Sequence, residues 1–520
     1  MTKSTGYDAI VIGAGANGLV AAATLGRAGR RVLVVDSAGT IGGRSRALEF
    51  APGFSAAPLS IDAGWLPPQV ARAIGVSPPA AHEPEYTTTV ALSDGGWLAL
   101  PRSRTRAAEA LRPHSLRDAA HWGEFTAHVR KFVAFLETLY LQSPPDVDAA
   151  TPGELGRLLG LARSYRALGR ADMIELLRVL PMSMQDWVDD EFESVAIKAA
   201  VGAGGVRDLR QGPRSGGTVY NLLHYLTGAP NGSVRARAWW RDGPDAFSNV
   251  AAEAAKAAGV TIRRDARAVR ILVREDAVAG VLLDDAEEVF APVVLSTTDP
   301  ARTLLGLVDP VWLDPEFIHA VRNIKFRGCT AFVLYGLDKQ PDIPGLDGIV
   351  SLSASLDKLE RAYDAAKYGL VSEPPHVELT AQSLRWPGLA PEGKHVLVAR
   401  VQYAPYRSRG GEPWDAGRTA RLAESVTKTI ADAVPAFADS VLHRQVLTPD
   451  DIETTFGFTE GAVTHGELTL DQILFMRPVA GAHRYAMPID GLYLGGAGAH
   501  PGPGVLGGAG LLAAKRVLGR

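Results

Sequence analysis

The sequence predicts an α/β chain in two interleaved parts: a βαβ domain on a parallel sheet, and an α+β part carrying an antiparallel sheet and helices. Three observations predict it. A short apolar strand meets a glycine turn and then a helix between Tyr7 and Ala28. Strand-like apolar runs and a helical period of three and four then alternate in blocks along the 520 residues. The segment 470–520 returns to a strand, a glycine-rich loop and a helix.

Tyr7-Asp8-Ala9-Ile10-Val11-Ile12 suits a strand buried on both faces. Gly13-Ala14-Gly15-Ala16-Asn17-Gly18 follows directly and fits G-x-G-x-x-G. A helix is expected to about Ala28, with Gly29 stopping it. Arg31 to Val35 reads as the second strand and runs into Asp36 and Ser37. Asp36 lies 18 residues past Gly18, where a ribose-binding carboxylate belongs. Gly13 makes the turn, Gly15 lets the backbone approach a pyrophosphate, and Gly18 lets helix and strand pack closely. Ala16 and Asn17 open the helix, whose free N–H groups and positive dipole end suit phosphates. A lone G-x-G-x-x-G is a weak signal. Here strand, helix and acid agree on a dinucleotide site.

Composition bounds the rest. The chain carries 54 basic and 57 acidic residues, a net charge of −3, which gives no support for nucleic-acid binding. Hydrophobic content of 46% against 21% charged allows a large core. The single cysteine, Cys329, permits no intramolecular disulfide, and a reducing compartment, the cytoplasm, is expected. Met1 to Gly6 show no apolar h-region, so no signal peptide is expected. No run reaches the ~18 apolar residues of a membrane span. Loose association with a membrane surface stays open. No metal site is expected.

Gly42-Gly43-Arg44 forms a second glycine turn after Asp36. With the first fingerprint, it resembles the flavin-binding start of the phytoene desaturase and amine oxidase superfamily. The resemblance implies a Rossmann-like FAD-binding domain (GR2-type), with FAD held non-covalently. It places the first loop on the cofactor, and Gly42, Gly43 and Arg44 at the pyrophosphate and flavin side. These proteins usually carry Glu where this chain has Asp36, one methylene shorter.

Thr89–Leu92 and Trp97–Leu100 read as short strands. From Ser115, Trp122, Phe125, Val129, Phe132, Leu136 and Leu139 mark one face of a long helix, with His128 read as a buried histidine near that face. It stops before Ser143-Pro144-Pro145. Thr151-Pro152-Gly153-Glu154 is a helix start. Met182, Met184 and Trp187 read as core, or as the wall of an apolar pocket. Residues 211–218 resemble a glycine-rich loop of the same superfamily, near substrate entry. Pro244 to Ala258 reads as a helix, followed by strands at Val260–Ile262, Ala268–Val273, Ala277–Leu283 and Val289–Leu295, the last ones a meander. By the resemblance, Val269 lends its backbone to the adenine ring. Thr330–Tyr335 and His395–Val401 are strand-like, and Ala416–Val434 is an amphipathic helix.

The tail from Val463 resembles a branch of the superfamily labelled pyridine nucleotide-disulphide oxidoreductase domain-containing. Leu492-Tyr493-Leu494 leads through Gly496 to Gly504 and Val505, where a helix N-terminus is expected to face the flavin. Such an end would stabilise the negative charge of reduced flavin by a few tenths to ~2 kcal/mol. Gly502–Gly507 also fits G-x-G-x-x-G, but too few residues follow for a second βαβ unit. A separate NAD(P)H domain is therefore not expected. The lone cysteine removes any C-x-x-C pair.

Three residues are candidates for chemistry. His500 is read as a flavin-proximal relay or a loop-fixing histidine. His465, in a His-Gly-Glu turn with Glu467, is read as a site residue or a turn holder. Arg241 follows Trp239-Trp240 and is read as a carboxylate anchor or a surface residue. The tryptophans either wall the cavity or pack between domains. Cys329 is expected to be a buried strand residue.

The resulting expectation is an FAD-binding domain from 1–75, 225–310 and 470–520, and a substrate domain from 76–224 and 311–469. A hydrophobic or amphiphilic substrate would lose hydride to flavin N5, with C–C desaturation favoured. Electrons would pass to dioxygen, a quinone or a carrier protein. Redox-neutral isomerisation or saturation, amine oxidation, and a non-catalytic flavin-bearing protein are the rival readings.

Overall fold

The first apolar run folds as β1 (Ala9–Ile12), with α1 (Ala16–Arg27) and β2 (Val32–Val35) after it. All eight strand residues are buried, as a strand covered on both faces requires. A Cβ on Gly18 would lie 1.9 Å from the Gly13 carbonyl oxygen, so only glycine lets α1 sit this close to the turn. The computed structural model describes residues 6–146, 151–230, 233–235 and 237–519. The segment 1–5, read above for a signal peptide, lies outside them.

The chain continues through β3 (Tyr86–Ala91) and β4 (Trp97–Pro101) into helices. α2 (Leu116–Tyr140) starts on Ser115, whose hydroxyl accepts from the Asp118 N–H. α3 (Pro152–Arg166) starts on Thr151 with proline in its first turn, and α4 (Arg170–Val179) follows. Then come α5 (Thr218–Tyr225), α6 (Ala246–Ala257) and β5 (Thr261–Arg263). β6 (Ala268–Arg274), β7 (Ala277–Leu283), β8 (Glu288–Phe290) and β9 (Val294–Ser296) are next. The second excursion carries β10 (Thr330–Leu337), β11 (Ile349–Ser351), β12 (His376–Ala381), β13 (His395–Gln402), α7 (Ala416–Ala433) and β14 (Val441–Leu447). β15 (Leu492–Leu494) and α8 (Gly508–Val517) close the chain.

Five strands form a parallel sheet in the order β15-β9-β1-β2-β5. β6, β7 and β8 form a separate antiparallel sheet. Seven strands form a third, β14-β10-β13-β12-β11-β3-β4, antiparallel except where β11 meets β3. On this sheet Val377, Leu379, Leu397, Ala399 and Val401 face one apolar core. Strand alternation sends Glu378, Arg400 and Gln402 to the opposite face, where they are equally buried.

Several expectations need correction. The run Val289–Leu295 is not one meander strand: it splits at Ala291–Val293, and β9 crosses to the parallel sheet beside β1. The final helix begins at Gly508, because Gly507 adopts φ +67, so its N-terminus lies beyond Gly504 and Val505. His128 is half-buried 3.7 Å from Asp172 rather than enclosed. Met184 and Trp187 belong to the helical core.

Candidate functional site

A cavity of ≈ 700 Å³ opens where the parallel sheet's loops meet the segments 59–64 and 502–507. Its floor is two glycine turns in contact. The Gly42 N–H donates to the Ala14 carbonyl at 3.0 Å. Gly43 has φ +56, and a Cβ there would meet the Gly15 Cα at 3.2 Å. The α1 N-cap, Gly15, brings no side chain, so the first N–H groups of the helix are left to a ligand.

At one side stand Asp36, Ser37 and the start of β6. Asp36 Oδ2 accepts from the Ala14 N–H at 2.6 Å and Oδ1 from the Ala38 N–H at 2.8 Å, which fixes the carboxylate at the cavity edge. Val269 is 40% exposed, so it is not a buried strand valine. It sits at a register break between Ala268 and Arg270, where the ladder with β7 skips it and its backbone is left for other partners. On the far side the Trp65 N–H donates to the Gly504 carbonyl at 2.8 Å, and the Leu506 N–H to the Trp65 carbonyl at 2.7 Å. Arg44 reaches the Leu59 carbonyl at 2.9 Å. These glycine contacts, free N–H groups and the exposed β6 backbone fit an extended dinucleotide.

Of the residues singled out from sequence, Gly13, Gly15, Ala16, Asn17, Asp36, Ser37, Gly42, Gly43, Arg44, Val269, His465, Gly504 and Val505 all line this one cavity. Four do not. Gly18 lies beneath the floor as the packing glycine. Gly496 is pressed against the Thr297 carbonyl, 2.4 Å from where a Cβ would be. His500 is buried away from the cavity, with Nε2 3.3 Å from the Leu139 carbonyl; burial pushes its pKa down to about 4, and its role is to hold the loop against α2. Arg241 points to solvent from the turn that follows Trp239 and Trp240, both of which are buried. The loop 211–218 does not reach the cavity either; Arg214 in it ties to Glu360 and Asp357. Of the two tryptophans, Trp240 lines the cavity beside Phe247 while Trp239 lies under the Arg385 guanidinium at 4.6 Å. Cys329, buried just before β10, is also remote.

His465 faces the cavity at φ +58, with its Nδ1 lacking a hydrogen-bond partner. Burial and then the nearby Arg477 push its pKa down to about 3, so the ring is neutral at pH 7. Glu467 does not reach the cavity; it takes Arg327 and the Arg210 N–H and holds the turn.

Sequence reasoning missed a chain of buried charges beside Gly504. Arg237 Nη2 meets Asp62 Oδ1 at 3.1 Å, and Asp62 Oδ2 meets Arg207 Nη1 at 3.2 Å. Arg207 Nε lies 3.6 Å from Asp208, and Asp208 meets Arg400 at 2.8 Å. Arg400 meets Glu378 at 3.2 Å, and Glu378 meets Arg235. Burial opposes ionisation of all three carboxyls, but the arginines outweigh it. Arg237 and Arg207 hold Asp62 well below the usual carboxylate range. Arg400 and Arg207 lower Asp208 to about 2, and Arg235 and Arg400 lower Glu378 to about 2. Asp62, Arg207 and Arg237 line the cavity.

A second missed group braces the Gly502–Gly507 loop. His224 Nε2 donates to the Pro503 carbonyl at 2.7 Å, so its Nδ1 must accept, and Tyr140 OH donates to it at 2.8 Å. Tyr220 OH then donates to Tyr140 at 3.0 Å. Burial keeps His224 neutral, its pKa down to about 3.

Fold and cavity define a dinucleotide-binding protein with a discontinuous cofactor cradle. Residues 11–66 match the NAD(P)-binding Rossmann-like domain, and 107–518 match the flavin containing amine oxidoreductase family. The chain is 33% identical to pyridine nucleotide-disulfide oxidoreductase domain-containing protein 2 of Rattus norvegicus, over 98% of this chain and 93% of the relative. It is 24% identical to a limonene dehydrogenase component of Castellaniella defragrans, over 99% and 95%. Among solved structures, putrescine oxidase bound to putrescine shares the fold, with a TM-score of 0.58 at 16% identity over 99% of each chain. An oxidoreductase from Methanosarcina mazei does so at 0.58 and 15%, over 98% of this chain and 100% of that one. The chain belongs to the flavin-containing amine oxidoreductase family and is an FAD-dependent oxidoreductase. Among the described residues, no helix is long and apolar enough to cross a membrane.

Proposed function

We propose that this enzyme takes hydride from carbon of a hydrophobic or amphiphilic substrate, and that the reaction is C–C desaturation rather than amine oxidation. FAD supplies the hydride acceptor, flavin N5, when bound. The turns Gly13–Asn17 and Gly42–Arg44 hold its pyrophosphate, Asp36 and Ser37 its ribose, and the Val269 backbone its adenine. Gly504 and Val505 border the flavin ring, and neutral His465 presents Nδ1 to it. Residues 1–75, 225–310 and 470–520 form the cofactor domain, and 76–224 with 311–469 shape the substrate side.

One observation carries the choice of reaction: the wall beside Gly504 has more positive than negative charge. Arg237 and Arg207 line it against Asp62. A substrate ammonium is disfavoured there: at ~6 Å from one uncompensated guanidinium and an effective dielectric constant of ~20, repulsion is ~3 kcal/mol, about a hundredfold in affinity. The relation to the limonene dehydrogenase component supports the same side.

Anaerobic mixing with saturated or less unsaturated precursors tests the reading. Bleaching of the flavin with formation of one new C=C bond is expected, and reoxidation by dioxygen, a quinone or a carrier protein identifies the acceptor. Reduction by amines alone sinks it, and double-bond migration with no net electron flow replaces it with isomerisation.

Peripheral membrane contact is part of the proposal. In α3 only Glu154 is buried, leaving Leu155 and Leu159 exposed, and α4 exposes Ile174 and Leu177. Arg163, Arg166 and Arg170 flank these residues without an ion-pair partner among the described residues. Exposed apolar side chains on two successive helices, with arginines between them in sequence, suit an anionic bilayer surface.

A further inference from the structure

The buried chain runs Arg237, Asp62, Arg207, Asp208, Arg400, Glu378, Arg235. Four guanidiniums alternate with three carboxylates, so one positive charge is left over. It is not lost to the solvent, because Arg237 is 2% exposed and Arg207 6%.

Both arginines are held rigidly at the cavity. Arg237 Nη1 donates to the Thr227 carbonyl at 3.2 Å and the Gly504 carbonyl at 3.3 Å. The Arg207 guanidinium lies over the Tyr225 ring at 4.2 Å, and Tyr225 OH donates to Asp208 at 3.1 Å. The Gly64 N–H fixes Asp62 at 2.9 Å. The other end of the chain is closed. The void beside Arg235 and Glu378 measures ≈ 10 Å³, room for one water at most. A counter-ion can therefore reach the chain from the large cavity and not from this void.

We propose that the substrate is an amphiphilic carboxylate, whose anionic head is held by Arg237 and Arg207 beside Gly504. A carboxylate carries the one negative charge that balances the chain, and its planar pair of oxygens suits guanidinium forks already fixed in position. A phosphate dianion would overshoot and leave a net negative charge buried. This inference rests on the FAD-dependent reading and names the substrate class for that same site.

The test uses the FAD-loaded enzyme and three probes of one chain length: octanoate, octanol and octylamine. Binding is read by calorimetry and by perturbation of the flavin spectrum. Octanoate is expected to bind about tenfold or more tighter than either other probe, and to weaken as salt is raised. Arg237→Gln should weaken octanoate about tenfold or more and leave octanol unchanged, with Arg237→Lys between. The probe series on the unaltered enzyme decides the matter even if a variant fails to fold. Equal or tighter binding of octanol or octylamine overturns the proposal. So does an Arg237→Gln enzyme with unchanged octanoate affinity and a shifted flavin potential, which would assign the arginines to the cofactor. Protein that binds no FAD refutes the oxidoreductase reading as well; a flavin-bearing protein indifferent to carboxylate refutes this inference alone.

Discussion

Acidification from pH 7.5 to pH 5 should destabilise this protein well before its carboxylates titrate. His224, His376, His465 and His500 are all at least nine-tenths buried. Burial lowers their pKa values from 6.5, to about 3 for His224 and His465 and about 4 for His376 and His500. Between about 4 and 6.5 the unfolded chain binds protons that the folded chain does not. Stability therefore rises with pH across that window and is lost as pH falls through it. At pH 5 each histidine is 1.5 units below its unfolded pKa, or ~2 kcal/mol at ~1.36 kcal/mol per unit, so the four amount to ~8 kcal/mol at most. Asp299 and Glu467, whose carboxyls burial pushes up, act with the opposite sign and offset part of it. With an unfolding entropy of ~2.1 cal/mol/K per residue, ~8 kcal/mol lowers the apparent Tm by about 7 °C. Scanning calorimetry across a pH series measures this directly. His376→Asn removes one titrating ring and should flatten the profile by about a quarter. A Tm that is level or rising from pH 7.5 to 5 would refute the reasoning, since it would mean these rings are protonated or solvated in the folded state.

Three further outcomes follow from the geometry. Glu378→Gln leaves Arg235 and Arg400 without their shared carboxylate and should cost ~3–5 kcal/mol in urea unfolding; a loss under ~1 kcal/mol would show that the charge chain is not continuous. Gly43→Ala puts a Cβ 3.2 Å from the Gly15 Cα and forces a side chain to φ +56. That strain of ~1–2 kcal/mol falls on the cofactor floor, so the flavin-to-protein ratio should drop sharply, and full FAD retention would count against the floor assignment. Replacing Leu155, Leu159 and Leu177 by Asp should abolish sedimentation with anionic vesicles while leaving the flavin content unchanged; binding that survives removes the proposed membrane face.

The cradle was legible because its glycines act through the main chain, which leaves fixed spacings in sequence. Gly13, Gly15, Gly18 and Asp36 belong to one strand–turn–helix unit, and their roles follow from local geometry. Val269 was singled out only by resemblance, and its exposure at a register break could not have been read from a run of apolar residues. His500 and Arg241 stayed open between two readings for a different reason. A loop histidine beside glycines carries no period, so nothing local says whether it faces the cavity or α2. The charge chain did leave a signal that was passed over. Glu378 interrupts His376–Ala381, and Arg400 interrupts His395–Gln402, in strands whose alternate residues are apolar. A charge at a buried strand position needs a partner across the sheet, and Glu378 and Arg400 are direct cross-strand neighbours. Their further partners, Asp208, Arg207 and Arg235, are brought in by tertiary packing and could not be assigned from the strands.

That chain also bears on why the wall is built this way. Replacing buried ion pairs with apolar residues of similar volume is often neutral or stabilising. Seven charged side chains beside a flavin site are therefore poorly explained by stability alone. The two ends of the chain differ in the way a ligand site requires. Toward the sheet, Arg235 and Glu378 face a void of ≈ 10 Å³. Toward Gly504, Arg237 and Arg207 line the large cavity. A purely structural chain has no reason to open one end onto a cavity of that size. The distinction has a direct consequence. If the chain only fills space, an apolar replacement of all seven residues keeps FAD, stability and turnover. If it reads the substrate, the same replacement keeps the fold and the flavin but loses selection for a carboxylate over an alcohol of equal length.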